Sequence, residues 1–208
     1  ESGIATFRDA NGLWEGHDVM EVASPQGWSA NPERVLDFYN QRRKAAVKAK
    51  PNAAHNIIAE LENDFDVTVV TQNVDHLHED GGSSNVVHLH GKLFESRSTE
   101  NPELIYPVKG WELNIGDTCE LGSQLRPNIV WFGEMVPMMD VAMEIASQAD
   151  IFIIVGTSLM VYPAAGLIDF VPSHAKKYLI DPNAPSLPVH YNITVINEKA
   201  TLGMPMVR

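Results

Sequence analysis

"VTVVTQNVDHLHEDGGSSNVVHLHG", residues 67–91, carries the reading on which the fold turns. It contains two short runs, VTVVT at 67–71 and VVHLH at 86–90, rich in β-branched residues and short enough to be strands buried in a parallel sheet. Each run ends in polar residues: Gln72 to Asp75 after the first, His90 and Gly91 after the second. In open parallel sheets ligands gather beyond the carboxyl ends of the strands. Taken alone, His76, His78 and Asp80, with His88, also have a spacing found in binuclear metallohydrolases. Gly81 stands where such a site needs a further histidine.

Outward from this stretch, the chain alternates helical and strand patterns. Upstream, residues 31–49 read as a helix in which Asn31 caps, Pro32 opens the first turn, and Val35, Phe38, Tyr39 and Ala46 recur at helical spacing. A second helix follows Pro51, with Ala54, Ile57, Ile58 and Leu61 on one face. Downstream, residues 92–126 are mostly polar and broken by Pro102, Pro107, Gly110, Gly116 and Gly122, which predicts a loop-rich insertion. Then come strands at 128–132, 150–158, 178–180 and 193–196, with a helix over 138–149. The alternation predicts an α/β fold: a Rossmann-like, doubly wound parallel sheet with a small inserted lobe. The expected division is 1–15, 60–91 and 127–208 for the sheet domain, and 16–59 with 92–126 for the helical and loop lobe.

Composition narrows the class. A chain of 208 residues that is 44% apolar has material for a substantial core. Its longest apolar run, IFIIV at 151–155, is too short to span a bilayer, and no export signal is visible, so no membrane partner is expected. A single cysteine, Cys119, excludes an intrachain disulfide and points to a reducing cytoplasm. The net charge of −12 argues against nucleic acid as a partner and suits a lysine-bearing protein surface.

Several groups carry possible chemistry, each beside a plainer role. VGTS (155–158) ends an apolar strand with a glycine and two hydroxyls, which suits a ribose or phosphate and equally an ordinary turn. His88 and His90 alternate along a run and are expected to face one side, with Gly91 allowing close approach of another molecule. Tyr39 and Arg42 lie three apart on a helix, where a phenol and a guanidinium can converge on a carboxylate or simply form a solvated basic edge. VWFGEMVP (130–137) can take an extended peptide by strand addition.

The order of these segments is more specific than any one of them. SGIATFR (2–8), TQNVDHLH (71–78), HLHG (88–91), VWFGEMVP (130–137) and GTSLMVYP (156–163) closely resemble the sirtuins, NAD-dependent protein lysine deacylases, over nearly the whole chain. The resemblance implies NAD as cofactor and places Ala5, Thr6, Phe7 and Arg8 along its site. By the same resemblance, Gln72, Asn73, Val74 and Asp75 surround the nicotinamide and its ribose, and Gly156, Thr157 and Ser158 meet the adenosine ribose and phosphate. Asp181, Pro182, Asn183 and Ala200 fall at the adenosine end. His90 matches the catalytic base, with Asn73 beside it in the chemistry. Val130, Trp131, Phe132, Gly133 and Glu134 match the segment that holds the acyl-lysine protein substrate, and Leu159 and Val161 its opposite side. In this reading His76 and His78 are structural. The Tyr-x-x-Arg pair, Tyr39 and Arg42, resembles the subgroup that removes succinyl and malonyl groups, with acetyl also accepted.

Two departures accompany the match. Sirtuins carry a glycine-rich segment just before SGI, and the sequence is expected to be truncated there. They also usually close the inserted lobe with zinc on two cysteine pairs, whereas here Cys119 is the one thiol and Ser96 and Ser98 lie near the first pair's place. Leu104, Ile105, Tyr106, Trp111, Leu113 and Leu121 are expected to form a satellite core instead. The alternatives are a catalytically weak NAD or acyl-lysine binding module, and the metallohydrolase on His76, His78 and Asp80.

Overall fold

The computed structural model describes residues 1–4, 13–14, 16–157 and 159–207. The chain folds into two compact units: Glu1–Lys50, Asn73–His76 and His90–Met135 form one, and Pro51–Gln72, Leu77–Leu89 and Val136–Arg208 the other. These boundaries fall elsewhere than the lobe edges expected above, for two local reasons. The Ala53–Glu60 helix joins the second unit because Ala54, Ile57 and Ile58 pack with Ile180 and Met204. The segment 127–135 joins the first because its strand pairs with Gly91–Ser98.

In the first unit the organising element is the Pro32–Ala46 helix. Asn31 accepts the Arg34 N–H at 3.0 Å, Pro32 fits the first turn, and Arg43 and Lys44 lie in the last turn, where cations suit the helix dipole. Its face buries Val35, Phe38 and Tyr39 against Leu93, Ile129 and Trp131. Burial of each such side chain contributes roughly 1.5–3 kcal/mol. The three-stranded sheet of this unit is antiparallel, with Gly91–Ser98 between Ile105–Pro107 and Leu125–Ile129. The strand expected at 128–132 is therefore shifted, and it pairs antiparallel inside the insertion's sheet. Gly91 is required by that pairing: its φ is +82°, and a Cβ there would sit 2.0 Å from the Asn128 carbonyl oxygen.

The second unit is the parallel part of the fold. Lys176–Ile180 runs between Ile151–Val155 and Ile193–Ile196, all parallel, and Val69–Thr71 pairs in parallel with Val86–His88. The Met139–Ser147 helix buries Met139, Ala142 and Ala146 with Leu89, Leu167 and Val171. The Ala53–Glu60 helix starts with a reciprocal cap: Asn52 accepts the Ala54 and His55 N–H groups, and His55 Nδ1 accepts the Asn52 N–H at 3.2 Å. Among the described residues no helix is long and apolar enough to cross a membrane.

The insertion holds together by polar contacts more than by the satellite core expected. Leu104, Tyr106 and Leu113 do pack, with Cys119 and Leu125, against Leu36. Ile105 and Leu121 are about half exposed, at 49% and 59%, and Trp111 is half-buried with Lys44 over its ring. In place of a larger core, fully buried Arg43 donates to the Trp111 carbonyl (2.8 Å), the Leu93 carbonyl (3.1 Å) and Asn40 Oδ1 (2.6 Å). Asn40 in turn bonds both the N–H and the carbonyl of Leu113. Burial pulls the Arg43 guanidinium down to about 10. Ser98 and Ser123 share a 2.7 Å bond, Ser123 lies 3.1 Å from the Cys119 sulfur, and Ser98 also accepts the Glu100 and Asn101 N–H groups. One thiol among hydroxyls engaged with each other does not make a zinc site, which takes thiolate, imidazole or carboxylate.

Candidate active site

Candidate residues fall in both units. In the first, Asn73 is exposed and Asp75 half-buried, and the turn they occupy is fastened by the Leu93 N–H donating to the Val74 carbonyl at 2.7 Å. His90 is half-buried, and its carbonyl accepts the Val130 N–H at 2.9 Å. That bond ties the candidate base to the start of the candidate substrate segment. The strand ends at His88, so His88 and His90 do not form the alternating pair expected. His88 is buried with Nε2 2.8 Å from a Glu79 carboxylate oxygen.

The segment 130–134 is built by its own side chains. Glu134 Oε2 accepts the Trp131 N–H at 2.8 Å, and the Glu134 N–H donates to the Trp131 carbonyl at 3.0 Å. Arg126 grips the same carboxylate at 2.7 and 3.0 Å, and Arg97 reaches it at 3.3 Å. Burial works to raise the Glu134 carboxyl, but the Arg126 hydrogen bonds, the Trp131 amide and the two positive charges outweigh it and hold it below the usual carboxylate range. Arg97 and Arg126 are directly opposed across the antiparallel ladder, a like-charge pairing that is unfavourable without a shared anion. Glu134 is that anion. Phe132 and Gly133 are exposed, and the Phe132 N–H donates to the Ala23 carbonyl.

Tyr39 and Arg42 share the buried face of their helix, at 0% and 5% exposure. Tyr39 accepts the Trp131 indole N–H at 3.0 Å, and Arg42 has its guanidinium carbon 5.8 Å from the Phe38 ring centroid. Burial pushes the Tyr39 phenol well above its ordinary value, against the opposing influence of the Trp131 bond and the Arg42 charge. The basic-edge alternative fails for Arg42, which is not solvated.

In the second unit, Gly156 follows the Ile151–Val155 strand with φ +63°, a conformation that favours glycine, and its N–H donates to the Ile180 carbonyl. Gln72 Nε2 donates to the Thr157 hydroxyl at 3.3 Å, and the same oxygen accepts the Leu159 N–H at 3.2 Å. Two candidate residues 85 positions apart are thus brought together. Leu159 has a positive φ of 54° and packs its side chain with Ile154, Ile168 and Leu179. Val161 is half-buried, and its carbonyl accepts the Ala165 N–H. Asp181 is fully buried and accepts the Asn183 N–H at 2.8 Å, which shapes the turn carrying exposed Pro182 and Asn183. Ala200 opens a short C-terminal helix. Candidates Ala5, Thr6, Phe7, Arg8 and Ser158 lie outside the described residues.

The geometry gives the metallohydrolase alternative no support. The His76 ring stands edge-on to Phe94 at 4.8 Å, and the His78 ring lies 4.7 Å from His55, while its carbonyl accepts the Ser83 N–H of the following turn. Among the described residues no group of three or more His, Cys, Asp or Glu is placed to hold a metal ion. Sequence reading missed Arg97, Arg126, Arg43, Ser98 and Ser123 as architects of the site and lobe. The clue to the arginines is the strand register, which a linear sequence does not display.

With this geometry in place, comparison with known proteins gives a consistent answer. The sequence profile of the Sir2 family matches residues 1–163. An NAD-dependent protein deacylase of Helicobacter pylori (strain ATCC 700392 / 26695) is 54% identical over 206 residues, spanning 98% of this chain and 89% of the relative. One of Bacteroides thetaiotaomicron is 50% identical over 209 residues, spanning 98% and 89%. Among solved structures, a Sir2 homolog–NAD complex matches with a TM-score of 0.87 at 37% identity, over 99% of this chain and 82% of that one.

Proposed function

We infer the activity from a premise the profile match establishes: this chain belongs to the Sir2 family. It is an NAD-dependent protein lysine deacylase, and within that activity we assign it a preference for acidic acyl groups, succinyl and malonyl, with acetyl also accepted. The observation that carries the preference is the burial of Tyr39 and Arg42 on one helix face, in the unit that also holds His90 and residues 130–134. A guanidinium beside a protonated phenol suits a carboxylate, and burial strengthens such a charge-assisted contact.

The residues present fit NAD. Gly156 leaves its turn without a side chain, and the Thr157 hydroxyl is oriented by Gln72, a polar surface suited to a ribose. When bound, NAD would supply an electrophilic ribosyl carbon with nicotinamide as its leaving group. The chain's contribution is placement and proton handling. Asn73 and Asp75 orient the carboxamide end, so the gain comes from fixed geometry and prearranged polarity. His90 accepts the proton of a ribose hydroxyl as general base. Arg42 and Tyr39 hold the distal carboxylate of the acyl chain.

Incubating the protein with NAD and matched acetyl-, malonyl- and succinyl-lysine peptides, followed by mass measurement, tests both levels. The expected products are free lysine peptide, nicotinamide and O-acyl-ADP-ribose, with the succinyl and malonyl peptides consumed fastest. His90→Ala should abolish turnover while NAD binding, read by calorimetry, persists. Full turnover by His90→Ala would refute the base assignment, and equal or better use of the acetyl peptide would refute the acidic preference.

A further inference from the structure

We propose that Trp131 is a positioning residue for acyl selectivity: its indole N–H, fixed on the Tyr39 oxygen, turns the phenol proton toward the acyl carboxylate. The inference rests on the acidic-acyl reading above and deepens it. An indole nitrogen can only donate, so across the 3.0 Å Trp131–Tyr39 bond the phenol oxygen must accept. The phenol's own proton is then left for donation elsewhere, and an anionic oxygen is the acceptor that rewards it most.

The ring that makes this bond is held on several sides. The Arg126 guanidinium carbon lies 3.3 Å from the Trp131 ring centroid, and Trp28 packs at 5.8 Å and 37°. Glu134 fastens Arg126 and the Trp131 backbone N–H together. Tyr39 is braced in turn by Phe38, edge-on at 5.2 Å and 88°. Trp131 is buried and its one side-chain donor is committed to the Tyr39 oxygen, so its part in the contact is made through that bond. The same carboxylate that shapes the 130–134 segment therefore also sets the direction of the phenol.

A phenylalanine at 131 keeps an aromatic ring for Arg126 and Trp28 but removes the donor. Steady-state kinetics on the full chain with succinyl- and acetyl-lysine peptides should compare wild type, Trp131→Phe, Tyr39→Phe and the double variant. Trp131→Phe should lower the succinyl-to-acetyl ratio of kcat/KM about tenfold, mainly through a higher KM for the succinyl peptide. The double variant should be no worse than Tyr39→Phe, because the two residues act as one unit. A merely destabilised protein loses active fraction, which lowers kcat on both peptides and leaves both KM values in place. An unchanged ratio in Trp131→Phe, or losses that multiply in the double variant, overturns the inference. A wild type that prefers succinyl, with Arg42→Met erasing the preference and Trp131→Phe preserving it, overturns this inference alone. A wild type without succinyl activity removes the acidic-acyl reading and the role of Trp131 together.

Discussion

Glu134→Gln removes one negative charge from between two opposed arginines while keeping the side chain's shape. The side chains of Arg97, Arg126 and Glu134 are 16%, 10% and 19% exposed, so the cluster is largely withdrawn from water. Breaking a buried ion pair by neutralising one partner costs about 3–5 kcal/mol, and the residual exposure lowers the expectation here to about 2–4 kcal/mol. The amide oxygen can still accept one or two of the hydrogen bonds, but Arg97 and Arg126 then face each other without an anion. The pH dependence follows from the depressed carboxyl. Between the folded and unfolded pKa values the unfolded chain binds more protons, so stability rises with pH through that window. The contribution is complete above the unfolded value, about 4.3, and is lost as pH falls through the folded value. Urea unfolding of wild type and Glu134→Gln at pH 7 and at several values below 4.5 reads both effects. The gap between the two proteins should be about 2–4 kcal/mol at pH 7 and should close as the solution becomes more acidic. A gap under about 0.5 kcal/mol at neutral pH, or one that stays constant as the carboxyl titrates, would refute the shared-anion argument.

Two further substitutions probe the inserted lobe. Arg43→Met removes donors to the Trp111 and Leu93 carbonyls and to Asn40, and should destabilise the first unit by about 2–4 kcal/mol in urea; an unchanged midpoint would show that those carbonyls find other partners. Ser98→Ala strands the Glu100 and Asn101 N–H groups and should cost about 2–3 kcal/mol, while prolonged treatment with a zinc chelator should leave the wild-type melting temperature in place. A chelator-induced drop of several degrees would mean that metal, and not the hydroxyl cluster, closes the lobe.

The helix over 32–46 was readable because its signals are local: a capping asparagine, a proline in the first turn and an apolar stripe. The strands at 69–71, 86–88, 151–155 and 193–196 were readable as short apolar runs, as was the 178–180 part of Lys176–Ile180, and their parallel pairing followed from the interleaved helices. Position and pairing direction were hidden at the next strand: the apolar run at 128–132 looks alike in a parallel and an antiparallel ladder, and the strand itself, Leu125–Ile129, carries Arg126, Pro127 and Asn128. The same limit concealed Arg97 and Arg126, whose opposition exists only once register is set. In the insertion, apolarity overstated the core: Ile105 and Leu121 point outward because the lobe is closed by side chains hydrogen-bonding backbone, a contact with no compositional signature. Gln124 shows the point, with Nε2 donating to the carbonyls of Asn114, Asp117 and Leu125.

On the proposed acidic-acyl reading, adjacent Arg42 and Arg43 divide selectivity from support on one helix. Both are buried, and a buried guanidinium is tolerable only with acceptors around it. Arg43 meets that demand with oxygens of its own unit, two main-chain carbonyls and the Asn40 amide, and so spends its donors on the lobe. Arg42, one residue earlier and about 100° around the helix, shares the side of Phe38 and Tyr39. Replacing each in turn should therefore divide the phenotype: Arg43→Met lowers stability and affects all acyl substrates alike, whereas Arg42→Met depresses succinyl turnover at least tenfold more than acetyl turnover. Equal losses on both acyl chains in Arg42→Met would place that guanidinium with the scaffold as well, and the helix would then carry no selectivity beyond the Tyr39 phenol.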